Sequence, residues 1–142
     1  MKILALSDAF ILGIHSMAII AAAGNAGISV HRISELTQSS QHHLTKVVEI
    51  LAKSGMIYST RGPSGGFNLK KTADQIHLID IYEAINGKID EKNLCVTNKK
   101  SDFHLDFFDK VCMELSQKFI DYIKSTRLSD IKGKADLLLK QK

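Results

Sequence analysis

Apolar and polar positions recur along most of the chain at helical spacing, and the first long run is the exception. Ala9 to Ala23 is almost wholly apolar, interrupted at its centre by Gly13, His15 and Ser16 and preceded by Asp8. It is shorter than the ~20 residues that span a bilayer and has only Lys2 as a positive leader. It therefore reads as a buried first helix, not as a membrane or secretory segment. Ser7 or Asp8 is the expected N-cap and Gly24-Asn25 the terminator. Ser29 caps a second helix from Val30 to about Thr37, with Ile33 and Leu36 spaced to face a core. Gln38, Ser39 and Ser40 break the pattern, and a longer helix runs from Gln41 to Ser54, closed by Gly55. Its apolar residues Leu44, Val47, Val48, Leu51 and Ala52 follow the i, i+3, i+4, i+7, i+8 rule of a helix buried on one side. His42, His43, Lys46, Glu49 and Lys53 lie on the opposite face. Short helix, tight turn and longer amphipathic helix form the helix-turn-helix arrangement, whose second helix offers polar side chains to a DNA major groove.

The pattern then switches to strands. Met56 to Thr60 and Phe67 to Leu69 are strand-like runs joined by Arg61-Gly62-Pro63-Ser64-Gly65-Gly66, which predicts a β-hairpin. Its tip holds three glycines and the only proline of the chain, a composition that lets backbone approach another surface closely. An arginine on so narrow a tip suits a DNA minor groove, where negative potential is high. Further on, Leu105, Phe108, Val111, Cys112, Leu115, Phe119, Ile120 and Ile123 make an apolar stripe over some five turns of helix.

At 142 residues, with 44% hydrophobic and 24% charged side chains, the chain is expected to build one core, not several domains. The net charge of +4 is unevenly spread: residues 1–70 carry six Lys/Arg against three Asp/Glu, residues 71–131 nine against eleven, and residues 132–142 four against one. Basic ends favour an anionic partner such as nucleic acid. Two cysteines cannot build a disulfide framework or fill a tetrahedral zinc site, so a reducing cytoplasm is the expected compartment. The chain has no P-loop, no G-x-G-x-x-G after a strand, no H-E-x-x-H and no G-x-S-x-G, and it is not expected to be an enzyme.

The helix-turn-helix, the phrase Leu51-Ala52-Lys53-Ser54-Gly55-Met56-Ile57, the tip Arg61 to Phe67 and the later phrase Ile79-Asp80-Ile81-Tyr82-Glu83-Ala84-Ile85-Asn86-Gly87 together resemble the Rrf-two family of winged-helix regulators, which includes the IscR, NsrR and CymR types. The resemblance runs from about residue 3 to residue 131. It implies a mainly α fold with a small β-hairpin, a winged helix-turn-helix followed by a long C-terminal dimerisation helix. It also implies a homodimeric transcription regulator, in the main a repressor, that binds a palindromic operator in double-stranded DNA. On that pattern residues 1–87 are the DNA-binding domain, 88–104 a sensor-region loop, 105–131 the dimerisation helix and a following turn, and 132–142 a basic tail.

Carried over residue by residue, the DNA contacts fall on Ser40, His42, His43, Thr45 and Lys46 of the recognition helix and on Arg61, Gly62 and Pro63 of the wing. Ser40 doubles as a cap, which would commit its hydroxyl to the backbone. Ser39 departs from the family, which usually has an apolar residue there. Leu105, Phe108, Leu115, Phe119 and Ile123 are the expected dimer contacts. Cluster-binding relatives carry three closely spaced cysteines in the sensor region; here only Cys95 lies there, and the corresponding later positions fall near Lys100 and Asp106. Asp8, Cys95, His104 and Cys112 could compose only a mixed-ligand iron-sulfur site. The residues themselves favour plainer roles: Asp8 as helix cap, Cys95 as an exposed thiol open to redox chemistry, and Cys112 as a buried structural cysteine, with no bound metal or cofactor expected. A winged helix that regulates by docking on a protein partner is the alternative class, separable by its indifference to DNA phosphates.

Overall fold

The computed structural model describes residues 6–91 and 106–140. Helix α1 (Asp8–Ala23) begins where the Ser7 side chain accepts a hydrogen bond from the Phe10 N–H at 3.1 Å, so Ser7 and not Asp8 is the cap. Among the described residues, Asp8–Ala26 is the one stretch long and apolar enough to cross a membrane. In the fold it is the central helix of the core: Phe10, Met17 and Ile20 are at most 1% exposed. The one buried hydroxyl in this run, Ser16, donates back to the Leu12 carbonyl at 2.7 Å, which spares the core an unpaired polar group. Helices α2 (Val30–Thr37) and α3 (Gln41–Lys53) follow, capped by Ser29 and Ser40 as their sequences predict. The apolar face of α3 is sealed, with Leu44, Val47, Val48 and Leu51 no more than 1% exposed.

Strands β1 (Ile57–Thr60) and β2 (Gly66–Leu69) pair antiparallel, with Ile57 opposite Leu69 and Thr60 opposite Gly66. Met56, expected in the strand, is instead a buried residue just before it. Ile28 adds a third rung on the far side of β2: its N–H donates to the Phe67 carbonyl at 3.1 Å and its carbonyl accepts from the Phe67 N–H at 2.8 Å. The hairpin is thereby tied to the segment that opens α2.

Helix α4 (Leu78–Asn86) packs on α1 and α3, and α5 (Asp106–Ser125) packs on α4. An aromatic ladder joins the three layers, Phe10 to Tyr82 at 5.1 Å and Tyr82 to Phe119 at 5.9 Å between ring centres, both edge-to-face. The end of α5 is pinned beneath α4 where the Leu78 N–H donates to the Thr126 carbonyl and the Leu128 N–H to the Ile76 carbonyl. Lys124 reaches Glu91 after α4, and this hydrogen bond holds its ammonium above the usual lysine range.

Two larger elements also differ from expectation. Segment 132–142, expected as a basic tail, folds over most of its length into helix α7 (Gly133–Lys140), which follows the short α6 (Leu128–Ile131) and lies against α1. Ala135 is buried there, and Leu139 packs against the core. Its charge excess marks a tail, yet Ala135 and Leu139, four apart, supply one core-facing edge. The apolar stripe of α5 is also divided: Ile120 and Ile123, each 2% exposed, belong to the chain's own interior.

Candidate nucleic-acid interface

The turn between α2 and α3 positions the outer face of α3. Gln38 takes a left-handed conformation, φ 53°, to end α2. Ser39, where an apolar residue is usual, is held by polar contacts instead. Its hydroxyl shares a hydrogen bond with Thr37 Oγ1 at 2.7 Å, and its carbonyl accepts one from the Ser34 hydroxyl at 2.8 Å. A hydroxyl network thus performs locally what an apolar contact would do.

Ser40 is exposed, but its hydroxyl accepts from the His43 N–H at 3.1 Å, so it is engaged as the cap. Thr45 is partly buried and donates to the Gln41 carbonyl at 2.7 Å. His42 and Lys46 are exposed, as are Glu49 and Lys53 further along. His43 diverges from its neighbour. It is half-buried and lines a small cleft of about 200 Å³ with Asp8, Leu12, His15 and Ser39, so it leans toward α1. Adjacent helical residues are ~100° apart, which places His42 outward when His43 turns in.

The wing tip is built for close approach. Pro63 follows Gly62 in a tight turn closed by the Gly65 N–H on the Gly62 carbonyl at 2.9 Å, and Arg61, Gly62 and Pro63 are all exposed. Gly66 has no room for a side chain: a Cβ there would stand 2.6 Å from the Ile28 backbone. One exposed arginine is thus presented by a tip whose base is locked by Ile28.

An exposed polar face on α3 and a fixed basic wing are the parts of a winged helix. A family model described as Rrf2, iron-dependent transcriptional regulator, matches residues 6–134. The chain belongs to the Rrf2 family. It is 32% identical over 111 residues to an HTH-type transcriptional regulator of Aquifex aeolicus, covering 73% of this chain and 74% of that one. It is 29% identical to the regulator NsrR of Shouchella clausii over 49% of this chain and 52% of the relative. Among solved structures it is similar to CymR, the global cysteine regulator of B. subtilis, with a TM-score of 0.75 at 24% identity, covering 91% of this chain and 96% of that chain. It is also similar to T. potens IscR, with a TM-score of 0.69 at 22% identity over 98% and 89% of the two chains. At such identities these two show the winged-helix fold. The family and its relatives are transcription regulators, not enzymes.

Of the expected dimer contacts of this Rrf2 chain, Leu105 lies outside the described residues, while Phe108 and Leu115 are 53% and 41% exposed on α5. Phe119 is partly buried edge-to-face against Tyr82, and Ile123 turns into the core. Tyr122, 64% exposed, was absent from the sequence reading. It follows Phe108 and Leu115 at intervals of seven, the spacing of a helical seam.

Of the four mixed-ligand candidates, Cys95 and His104 lie outside the described residues. Cys112 is half-buried and disulfide-bonded, not a buried free thiol; the chain's only other cysteine is Cys95. That corrects the expectation of a buried free thiol at Cys112, whose half-buried place on α5 leaves its sulfur within reach of another. A sulfur held in a disulfide is not a thiolate, so Cys112 in this state cannot ligate iron. Asp8 lines the cleft beside His15 and His43, but the described residues contain no group of three or more His, Cys, Asp or Glu suited to a metal. The residues described do not fit the iron site that the family description implies.

Proposed function

We propose that this Rrf2 regulator is a cytoplasmic homodimer that represses transcription by binding a palindromic operator, with α3 in the major groove and the wing in the minor groove. The observation that carries the reading is the pairing of a sealed apolar face on α3 with exposed His42 and Lys46, beside an exposed Arg61 on a wing anchored through Ile28. Phosphate contact by Lys46 and minor-groove contact by Arg61 divide the work between affinity and shape reading. The seam Phe108, Leu115, Tyr122 supports a two-fold dimer, which matches a two-fold operator.

Arg61→Ala should weaken operator binding by about 1–3 kcal/mol, or roughly 5- to 150-fold, while leaving the melting temperature unchanged, because Arg61 is exposed at the wing tip, away from the core. A mobility-shift titration measures it, and wild-type affinity in the variant would remove Arg61 from the interface. Binding to random duplex should fall steeply with salt; a chain acting only through a protein partner has no phosphates to neutralise and would show no such fall.

The Cys112 disulfide supports a second, redox reading, because Cys112 sits on α5 one turn from both Phe108 and Leu115. A dithiol would open the bond to two thiols and become a disulfide itself, freeing Cys112 and the cysteine bonded to it for alkylation. Operator affinity should then differ between the two states. Identical shifts with and without the dithiol would end this reading. No iron-sulfur cluster takes part, so protein purified without oxygen should be colourless; visible absorption from iron-thiolate bonds would contradict that.

A further inference from the structure

The basic C-terminal segment, with four Lys against one Asp from residue 132 on, plays no part in α3 or the wing. Its folding into α7 gives it a definite place. The last turn of α7 brings Lys140 to an open groove of about 560 Å³, which is also lined by Pro63 and Gly65 of the wing tip and by Ser29 and Arg32 at the start of α2. Three elements distant in sequence thus converge at the edge of the proposed DNA-binding face.

The charges in this groove are mostly committed, with one exception. Its carboxylate, Asp136, is paired with Lys132 at 3.2 Å. Arg32 donates through Nη1 to Glu35 Oε2 at 2.9 Å, and its Nε is sealed from solvent without an acceptor. Lys140 is exposed and has no ion pair among the described residues. In helix-turn-helix complexes the first helix of the motif crosses the sugar-phosphate backbone, and here a wing aimed at the minor groove stands beside that helix. The gap between the two is where one strand must pass.

We infer that this groove seats a phosphate of the DNA backbone and that Lys140, from a helix outside the winged-helix unit, supplies its counter-charge. The inference rests on the DNA-binding reading above and adds to it a contact that carries no sequence information. Arg32 is paired with Glu35, while the exposed ammonium of Lys140 is free to meet the anion.

Lys140→Gln is the test, with Lys134→Gln as its control, because Lys134 is exposed on the same helix but lines a different cleft. Fluorescence anisotropy with an operator duplex and a random duplex, titrated over a range of salt, reads the contact. Lys140→Gln should bind both duplexes about five- to tenfold more weakly at ~0.1 M salt, and the slope of log affinity against log salt should fall by about 0.9 per protomer. Lys134→Gln should leave the slope at its wild-type value. An unchanged slope in Lys140→Gln alongside weakened binding by Arg61→Ala would overturn the groove and leave the DNA-binding reading standing. An equal loss in both lysine variants would reduce the effect to net charge and also overturn it. Wild-type protein that binds neither duplex would refute both readings together.

Discussion

Gly66→Ala should cost roughly 3 kcal/mol of stability, lower the melting temperature by roughly 10 °C and remove most operator affinity in one step. The added methyl would stand 2.6 Å from the carbonyl carbon and oxygen of Ile28 and 2.8 Å from its nitrogen, all of them backbone atoms that cannot swing aside. The chain must then release the paired bonds between Ile28 and Phe67, at 3.1 and 2.8 Å, each worth about 0.5–1.5 kcal/mol net. Those bonds fix the angle of the wing relative to α2, so Arg61 would lose its aim as well. Gly133→Ala is the contrasting case. Nothing lies within 4 Å of its Cβ and it sits in a helix, so that change should stabilise by up to about 1 kcal/mol. Thermal melts followed by circular dichroism read both, and a Gly66→Ala protein with wild-type melting and DNA affinity would show that the Ile28 rung does not hold the wing.

The helix-turn-helix and wing were legible because their boundaries are written in local chemistry. Ser7, Ser29 and Ser40 each stand directly before a periodic apolar run, and each accepts the backbone hydrogen bond that a cap must take. The wing announces itself by its glycines and single proline. What escaped the sequence depends on packing between distant segments. Seven of the eight stripe positions fall on α5, and they wrap around too wide an arc for a single partner. Ile120 and Ile123 serve the protomer's core, and the outward seam ends at Tyr122, an amphipathic residue that apolar counting overlooks. His43 could not be told from His42 without α1 beside it, and α7 could not be told from a tail without the α1 surface that receives Ala135 and Leu139.

That division of α5 makes two substitutions on one helix diverge. Leu115→Asp should yield a folded monomer, and Ile123→Asp should not fold. Leu115 is 41% exposed on the protomer, so an aspartate there meets water and leaves the core intact. In a two-fold dimer the change occurs twice, and losing two buried leucines at about 1.5–3 kcal/mol each raises the dissociation constant by roughly two to four orders of magnitude. Ile123 is 2% exposed, and a carboxylate at that depth has no partner to offset its desolvation. Light scattering should therefore report a mass near 15.7 kDa for Leu115→Asp, against about twice that for the parent, with the helical signal retained. Because each half of a palindrome needs its own wing and recognition helix, the monomer should lose operator binding far more than random-duplex binding. A parent chain that is itself monomeric at micromolar concentration, or a Leu115→Asp variant that remains dimeric, would move the two-fold seam off α5.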